Sequence, residues 1–129
     1  MSTITLAVVG PRHFADYARL EELLLAHIAQ LEIDGVHVTK LITIRNPGTN
    51  DLVKDFCTKH SKQIEILEVD WDRLGKSAAF QTNDSLVAKS SHLVCFWDRI
   101  DQVVGDVVDK GLRLRRAVKI FKVAAKETK

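Results

Sequence analysis

The sequence predicts an α/β fold: a three-layer sandwich in which a mostly parallel five-stranded sheet carries helices on both faces. Three observations predict it. Short β-branched apolar runs alternate strictly with longer stretches of helical periodicity. Turn signals rich in glycine, proline, asparagine and aspartate separate the two kinds of segment. Five strands alternating with four helices then imply crossover connections, which parallel neighbours need and tight antiparallel hairpins do not.

Thr3 to Val9 is a β-branched run closed by Gly10-Pro11, so it reads as a buried, central strand. From Asp16, a residue suited to cap a helix, Tyr17, Leu20, Leu24, Ile28 and Leu31 recur at intervals of three and four, the spacing of one helical face. Asp34-Gly35 marks a turn, and Val36 to Ile44 supplies the second strand. The run Asn46-Pro47-Gly48-Thr49-Asn50-Asp51 breaks the chain, and Thr49 or Asn50 is placed to cap a helix reaching about His60. Ile64 to Val69 is the third strand and Ser77 to Ser90 the third helix, with Ala79, Leu86 and Val87 facing inward. His92 to Trp97 is the fourth strand, and Ile100 to about Leu114 is a helix burying Val104, Val107 and Val108. Val118 to Val123 alternates as an edge strand, and residues 122–129 read as a frayed tail.

A chain of 129 residues with 46% apolar content fits one domain, 1–129, with one core. With 19 basic and 17 acidic residues the net charge is only +2, which disfavours nucleic acid as the main partner. The densest basic cluster, Arg113-Leu114-Arg115-Arg116, is short and suits a solvated helix end. Cys57 and Cys95 lie in apolar patterns rather than in a redox or metal spacing, so both read as reduced and buried, in keeping with a cytoplasmic location. No apolar run is long enough to span a bilayer, and the N-terminus carries no signal-peptide pattern, so no membrane partner is expected. The five histidines lack a ligand spacing such as His-x-x-x-His, so no metal is expected; neither is a covalent nucleophile, for no Gly-x-Ser-x-Gly occurs.

The chemically loaded residues fall at strand-to-helix turns, where open α/β sheets hold their ligands. Gly10-Pro11-Arg12-His13 follows the first strand, where helix amides and an arginine could meet an anion; a plain tight turn with a solvated Arg12 fits equally. Gly48, Thr49, Asn50 and Asp51 form the second such turn, open to a phosphate or to a simple capped loop. Trp71, Gly75 and Lys76 open the third, where the indole could stack on a base and the lysine meet an anion, or the tryptophan could merely pack the loop onto the core. Asn83 interrupts an otherwise apolar helical stripe, and a buried asparagine needs partners, of which a ligand is one candidate. Phe96-Trp97-Asp98 ends the fourth strand.

Asp70-Trp71-x-x-x-Gly75-Lys76-x-Ala78, Asn83, Cys95-Phe96-Trp97-Asp98 and Val9-Gly10-Pro11-Arg12-x-Phe14 together resemble the YspA/YpsA-like branch of the SLOG superfamily. These Rossmann-like domains are related to the LOG phosphoribohydrolases and to DprA, and the resemblance spans about Thr3 to Phe121. It implies a nucleotide-type ligand at the carboxyl ends of the strands and, because related domains commonly pair, a homodimer. The family's Gly-x-Arg stands at Gly10-Pro11-Arg12. Its Gly-Gly-x-x-Gly-Ala-Asp keeps only Asp51, with Gly48 one place from the expected glycine. Its Arg-Asn pair is Thr82-Asn83, and its Ser-x-Gly-Thr phosphate cradle is Asp101-Gln102-Val103-Val104, in which Asp101 would repel a phosphate.

Three functional readings follow. The first is binding, without catalysis, of a nucleotide or nucleotide-derived small molecule of the ADP-ribose or NAD-related class, with Arg12, Lys76 and Asn83 converging on it. No resident cofactor is expected beyond such a ligand. The second is a phosphoribohydrolase-like enzyme cleaving an N-glycosidic bond, although the relatives' Pro-Gly-Gly-x-Gly-Thr is absent. The third is a protein-interaction role on a degenerate scaffold of the kind that also resembles some phage-encoded proteins. A homodimer through helix faces is expected from Val103, Val104, Val107 and Val108, which offer more apolar surface than one buried stripe needs.

Overall fold

The computed structural model describes residues 2–45 and 48–125, and for Lys76 the backbone alone. Strands β1 (Ser2–Val9), β2 (Val36–Ile44), β3 (Gln63–Leu67), β4 (His92–Trp97) and β5 (Ala117–Lys122) form one sheet in the order β3-β2-β1-β4-β5. Every pairing in it is parallel. The architecture is therefore the Rossmann-like three-layer sandwich that the alternation of strand and helix predicts, with β1 central and β5 at an edge.

Strand alternation divides the core in two, because successive side chains leave a strand on opposite faces. Leu6 and Val8 of β1 face α1 (Tyr17–Ile33) and α2 (Thr49–Lys59), where they meet Leu20, Leu24, Val53 and Phe56. Ala7 and Val9 face the other way, toward Leu86 and Val87 of α4 (Ala78–Ala88) and Val104, Val107 and Val108 of α5 (Gln102–Arg113). Both cysteines are free and buried, and burial pushes the Cys57 thiol up to about 11 and that of Cys95 to about 12. Neither is a thiolate near neutral pH.

The chain builds outward from β1 to β2 and β3, then returns past β1 to place β4 on its other side. That reversal opens a crevice beyond the carboxyl ends of the central strands.

Several local expectations change. Asp16 caps α1 as its position predicts, accepting the Arg19 N–H at 3.1 Å. Neither Thr49 nor Asn50 caps α2; Gly48 takes that place without a side-chain hydrogen bond. The stretch after β3, read as a loop, contains the short helix α3 (Trp71–Leu74), whose Asp70 cap accepts the Arg73 N–H at 3.2 Å, and then a 3-10 turn, Gly75–Ser77. The tail does not fray at 122: Lys122 belongs to β5, and the buried Val123 donates its N–H to the Trp97 carbonyl at 3.1 Å. Residues 126–129 of that predicted tail lie outside the described residues. Finally, Val104, Val107 and Val108 are buried in the chain's own core and Val103 is half-buried, while Leu112 is the large apolar side chain that α5 exposes. Among the described residues no helix is long and apolar enough to cross a membrane.

Candidate functional site

A cavity of about 320 Å³ opens in the crevice. Its floor is the end of β1 and β2, with Val9, Gly10, Thr43 and Ile44; its sides are Thr49 and Asn50 of α2, Ala79 and Asn83 of α4, and Val103, Val104 and Val107 of α5. Val69, Trp71, Arg12 and Asp101 complete the wall. Trp71, with 47% of its surface exposed, stands at the mouth. The lining is mostly apolar with a few polar groups, the composition usual for small-molecule sites.

Two glycines bring the first two turns together. A Cβ on Gly10 would lie 2.5 Å from Thr49 Oγ1, and one on Gly48, whose φ is +94°, would lie 2.1 Å from the Arg12 carbonyl oxygen. Only a residue without a side chain permits that approach. The hydroxyl of Thr49 uses it to donate to the Pro11 carbonyl at 3.0 Å, a tie between the β1 turn and the start of α2 that takes Thr49 away from capping. Thr43, likewise, donates to the Val8 carbonyl at 2.7 Å and so is satisfied within the sheet.

The asparagines are different. Asn83 is fully buried, and its Nδ2 donates to the Val103 carbonyl at 3.1 Å and to Asp106 Oδ2 at 3.0 Å. Asn50 is 5% exposed, and its Nδ2 donates to Asp51 Oδ1 at 3.2 Å. In both, the amide oxygen Oδ1 is buried and receives no hydrogen bond. Turning either amide over would set its oxygen against a carboxylate, so the chain itself fixes which atom is the orphan. These are the two buried side-chain polar atoms without a partner among the described residues, and both belong to residues that line one cavity.

Behind Asn83 the carboxylate of Asp106 is held by Lys110 at 2.9 Å, which also meets Asp84 at 2.8 Å and donates to the Phe80 carbonyl at 2.8 Å. Burial works against the Lys110 charge, but the two aspartates outweigh it and raise its pKa. The cradle that a phosphate would need at the start of α5 is already filled. Asp101 Oδ1 accepts the Val104 N–H at 2.9 Å, and Asp98 Oδ1 accepts those of Ile100 and Asp101 at 2.9 and 2.8 Å. Burial alone would raise the Asp98 carboxyl; the N–H groups of Asp101 and Ile100, with His13 beside it, hold it below its ordinary range.

Of the residues singled out in the sequence, Gly10, Arg12, Thr49, Asn50, Trp71 and Asn83 line the cavity together. Pro11, Gly48, Asp51 and Gly75 shape the turns around it without lining it. His13 and Asp98 do not line it either. His13 Nε2 stands 2.8 Å from the Ala124 carbonyl oxygen and 3.7 Å from Asp98 Oδ2, beside a shallower hollow bounded by Phe14 and Val123. The Lys76 side chain lies outside the described residues. Sequence reasoning missed Val9, Thr43, Ile44, Val69 and Val107, which sit within apolar runs indistinguishable from core.

Comparison of the chain with protein-family models, with curated proteins and with solved structures finds no match.

Proposed function

We propose that the chain binds a nucleotide or nucleotide-derived small molecule, of the ADP-ribose or NAD-related class, in the crevice at the carboxyl ends of β1 and β2, without catalysing a reaction on it. One observation carries the reading: the two orphaned amide oxygens, Asn50 Oδ1 and Asn83 Oδ1, belong to side chains of residues that line the same cavity. A buried acceptor left without a donor costs about 1 to 3 kcal/mol, and a ligand that supplies two donors relieves two such deficits at once. The ligand class rests on the position of the cavity at the chain reversal, on an indole at its mouth suited to stacking, and on the resemblance in sequence described above.

The glycosidase reading finds less support, since among the described lining residues there is no glutamate, and the one carboxylate, Asp101, is engaged in capping α5. Thermal unfolding in the presence of ADP-ribose, NAD, nucleosides and nucleoside monophosphates tests the proposal. A binder at a hundredfold excess over its Kd stabilises the chain by about 2.7 kcal/mol, on the order of 10 °C for a domain of this size. No shift with any member of that panel overturns it in favour of a protein-interaction role.

A further inference from the structure

The two asparagines are wired alike. Each donates its Nδ2 hydrogens to an aspartate, Asn50 to Asp51 at 3.2 Å and Asn83 to Asp106 at 3.0 Å, and each is left with a buried, unpartnered oxygen. A carboxylate drawing on the N–H side of an amide pushes electron density toward its oxygen, because hydrogen bonds in a chain polarise one another. The result is two reinforced acceptors on residues that line one largely apolar cavity. They suit hydroxyl or amino groups and repel anions.

Most of the anion-attracting backbone around the cavity is neutralised in the same sense. The carboxylate of Asp101 accepts an N–H in the first turn of α5, and Asp51 sits in the first turn of α2, so these two helix starts that border the cavity already carry a negative charge, whereas that of α4, at Ala79, has no acidic residue in its first turn. Two further turn amides, those of Ile100 and Asp101, are taken by Asp98. Arg12 is exposed at the wall, on the turn after β1.

We infer, on the basis of the binding proposal above, that this cavity recognises the hydrogen-bond donors of a nucleoside, its sugar hydroxyls or base amino group, between Asn50 and Asn83, and takes no phosphate into its depth. Any phosphate the ligand carries stays outside, on the Arg12 side, and adds little to affinity. The site is thereby a nucleoside site built on a scaffold whose helix starts would ordinarily serve phosphate.

Isothermal titration of the full chain with four nucleosides, their 5′-monophosphates, ribose 5-phosphate and inorganic phosphate tests this. The expected result is that at least one nucleoside binds within about tenfold of its monophosphate, while ribose 5-phosphate and phosphate fail to displace it. Asn50→Ala should weaken that nucleoside by about tenfold or more, with unfolding in urea showing the fold retained. A monophosphate that binds more than about tenfold tighter than its nucleoside, or displacement by ribose 5-phosphate, overturns the inference and leaves the binding proposal standing. Silence from every compound overturns the inference, and silence from ADP-ribose and NAD as well overturns the binding proposal with it. The phosphate comparison needs no variant, so it decides the matter even if Asn50→Ala folds poorly.

Discussion

Replacing Asn83 by alanine separates a ligand-facing asparagine from a structural one. The variant loses the hydrogen bonds to the Val103 carbonyl and to Asp106, which together contribute about 2 to 4 kcal/mol given that one acceptor is charged. It also removes the orphaned Oδ1, whose burial costs about 1 to 3 kcal/mol in the unliganded chain. Asp106 is not stranded, because Lys110 remains 2.9 Å away, and Val103 lies within α5, where the helix's own ladder uses its carbonyl. The opposing effects leave a net loss of only about 1 kcal/mol. Affinity should fall by about tenfold, the loss of one buried hydrogen bond to ligand. Urea unfolding and titration calorimetry on the same preparation give both numbers. A loss of about 3 kcal/mol or more in stability with unchanged affinity would show Asn83 to be scaffold and refute the reasoning.

Gly48→Ala should lower stability by at least about 2 kcal/mol, since it combines a positive φ with a Cβ 2.1 Å from the Arg12 carbonyl oxygen; an unaltered melting curve would rule out the close approach of the two turns. Trp71→Ala should leave stability within about 0.5 kcal/mol because the indole is half exposed, while costing affinity on the order of tenfold, the scale of one base–aromatic stack. Unchanged affinity would take Trp71 out of the site. Glu21 accepts from Lys59 at 2.8 Å, from His60 at 3.0 Å and from Tyr17 at 3.1 Å, and Lys59 first, then His60, hold its carboxyl down to about 2. A depressed carboxyl contributes stability above its unfolded value of about 4.3 and loses that contribution as pH falls through the folded value. The stability gap between wild type and Glu21→Gln should therefore shrink as pH falls from about 4.5 toward 2, and a gap that stays constant over that range would discount the cluster.

Where a segment's fate depends on its own residues, the sequence is legible. Val36–Ile44 and His92–Trp97 are bounded by turn signals and by apolar runs, and the strands begin and end there. The stripe Leu20, Leu24, Ile28, Leu31 is buried as its spacing predicts. Asn83 stood out because it broke such a stripe, and it is buried in the cavity wall. The helix Trp71–Leu74 is not legible in the sequence, although Asp70 three residues before Arg73 is its cap, because one turn is too short to show a period. Thr49, one of the two residues placed to cap α2, does not do so for a deeper reason: its hydroxyl is claimed by Pro11, 38 residues away in sequence, and no local pattern records that. The same holds for the apolar walls. Ile44 and Val107 look like core in any window, and whether the face they cover is filled or left open is decided by how α4, packed on β2, meets α5, packed on β4, across the chain reversal. His13 and Asp98, placed at the site by their position at strand ends, do not line the cavity: His13 lines a neighbouring hollow with Val123 and Ala124, and Asp98 Oδ2 stands 3.7 Å from its Nε2.

On the binding proposal, Asn50 Oδ1 and Asn83 Oδ1 receive the donors of a ligand. Nuclear magnetic resonance of ¹⁵N-labelled protein observes the side-chain NH₂ groups of Asn50 and Asn83 directly, and hydrogen bonding at an amide oxygen shifts the nitrogen and hydrogens of the same amide. Titration with the tightest nucleoside should move both pairs of signals together and saturably, ahead of resonances from the hollow around His13 and Lys122. If the nucleoside binds and these two side-chain signals stay where they were, the account of the cavity is wrong.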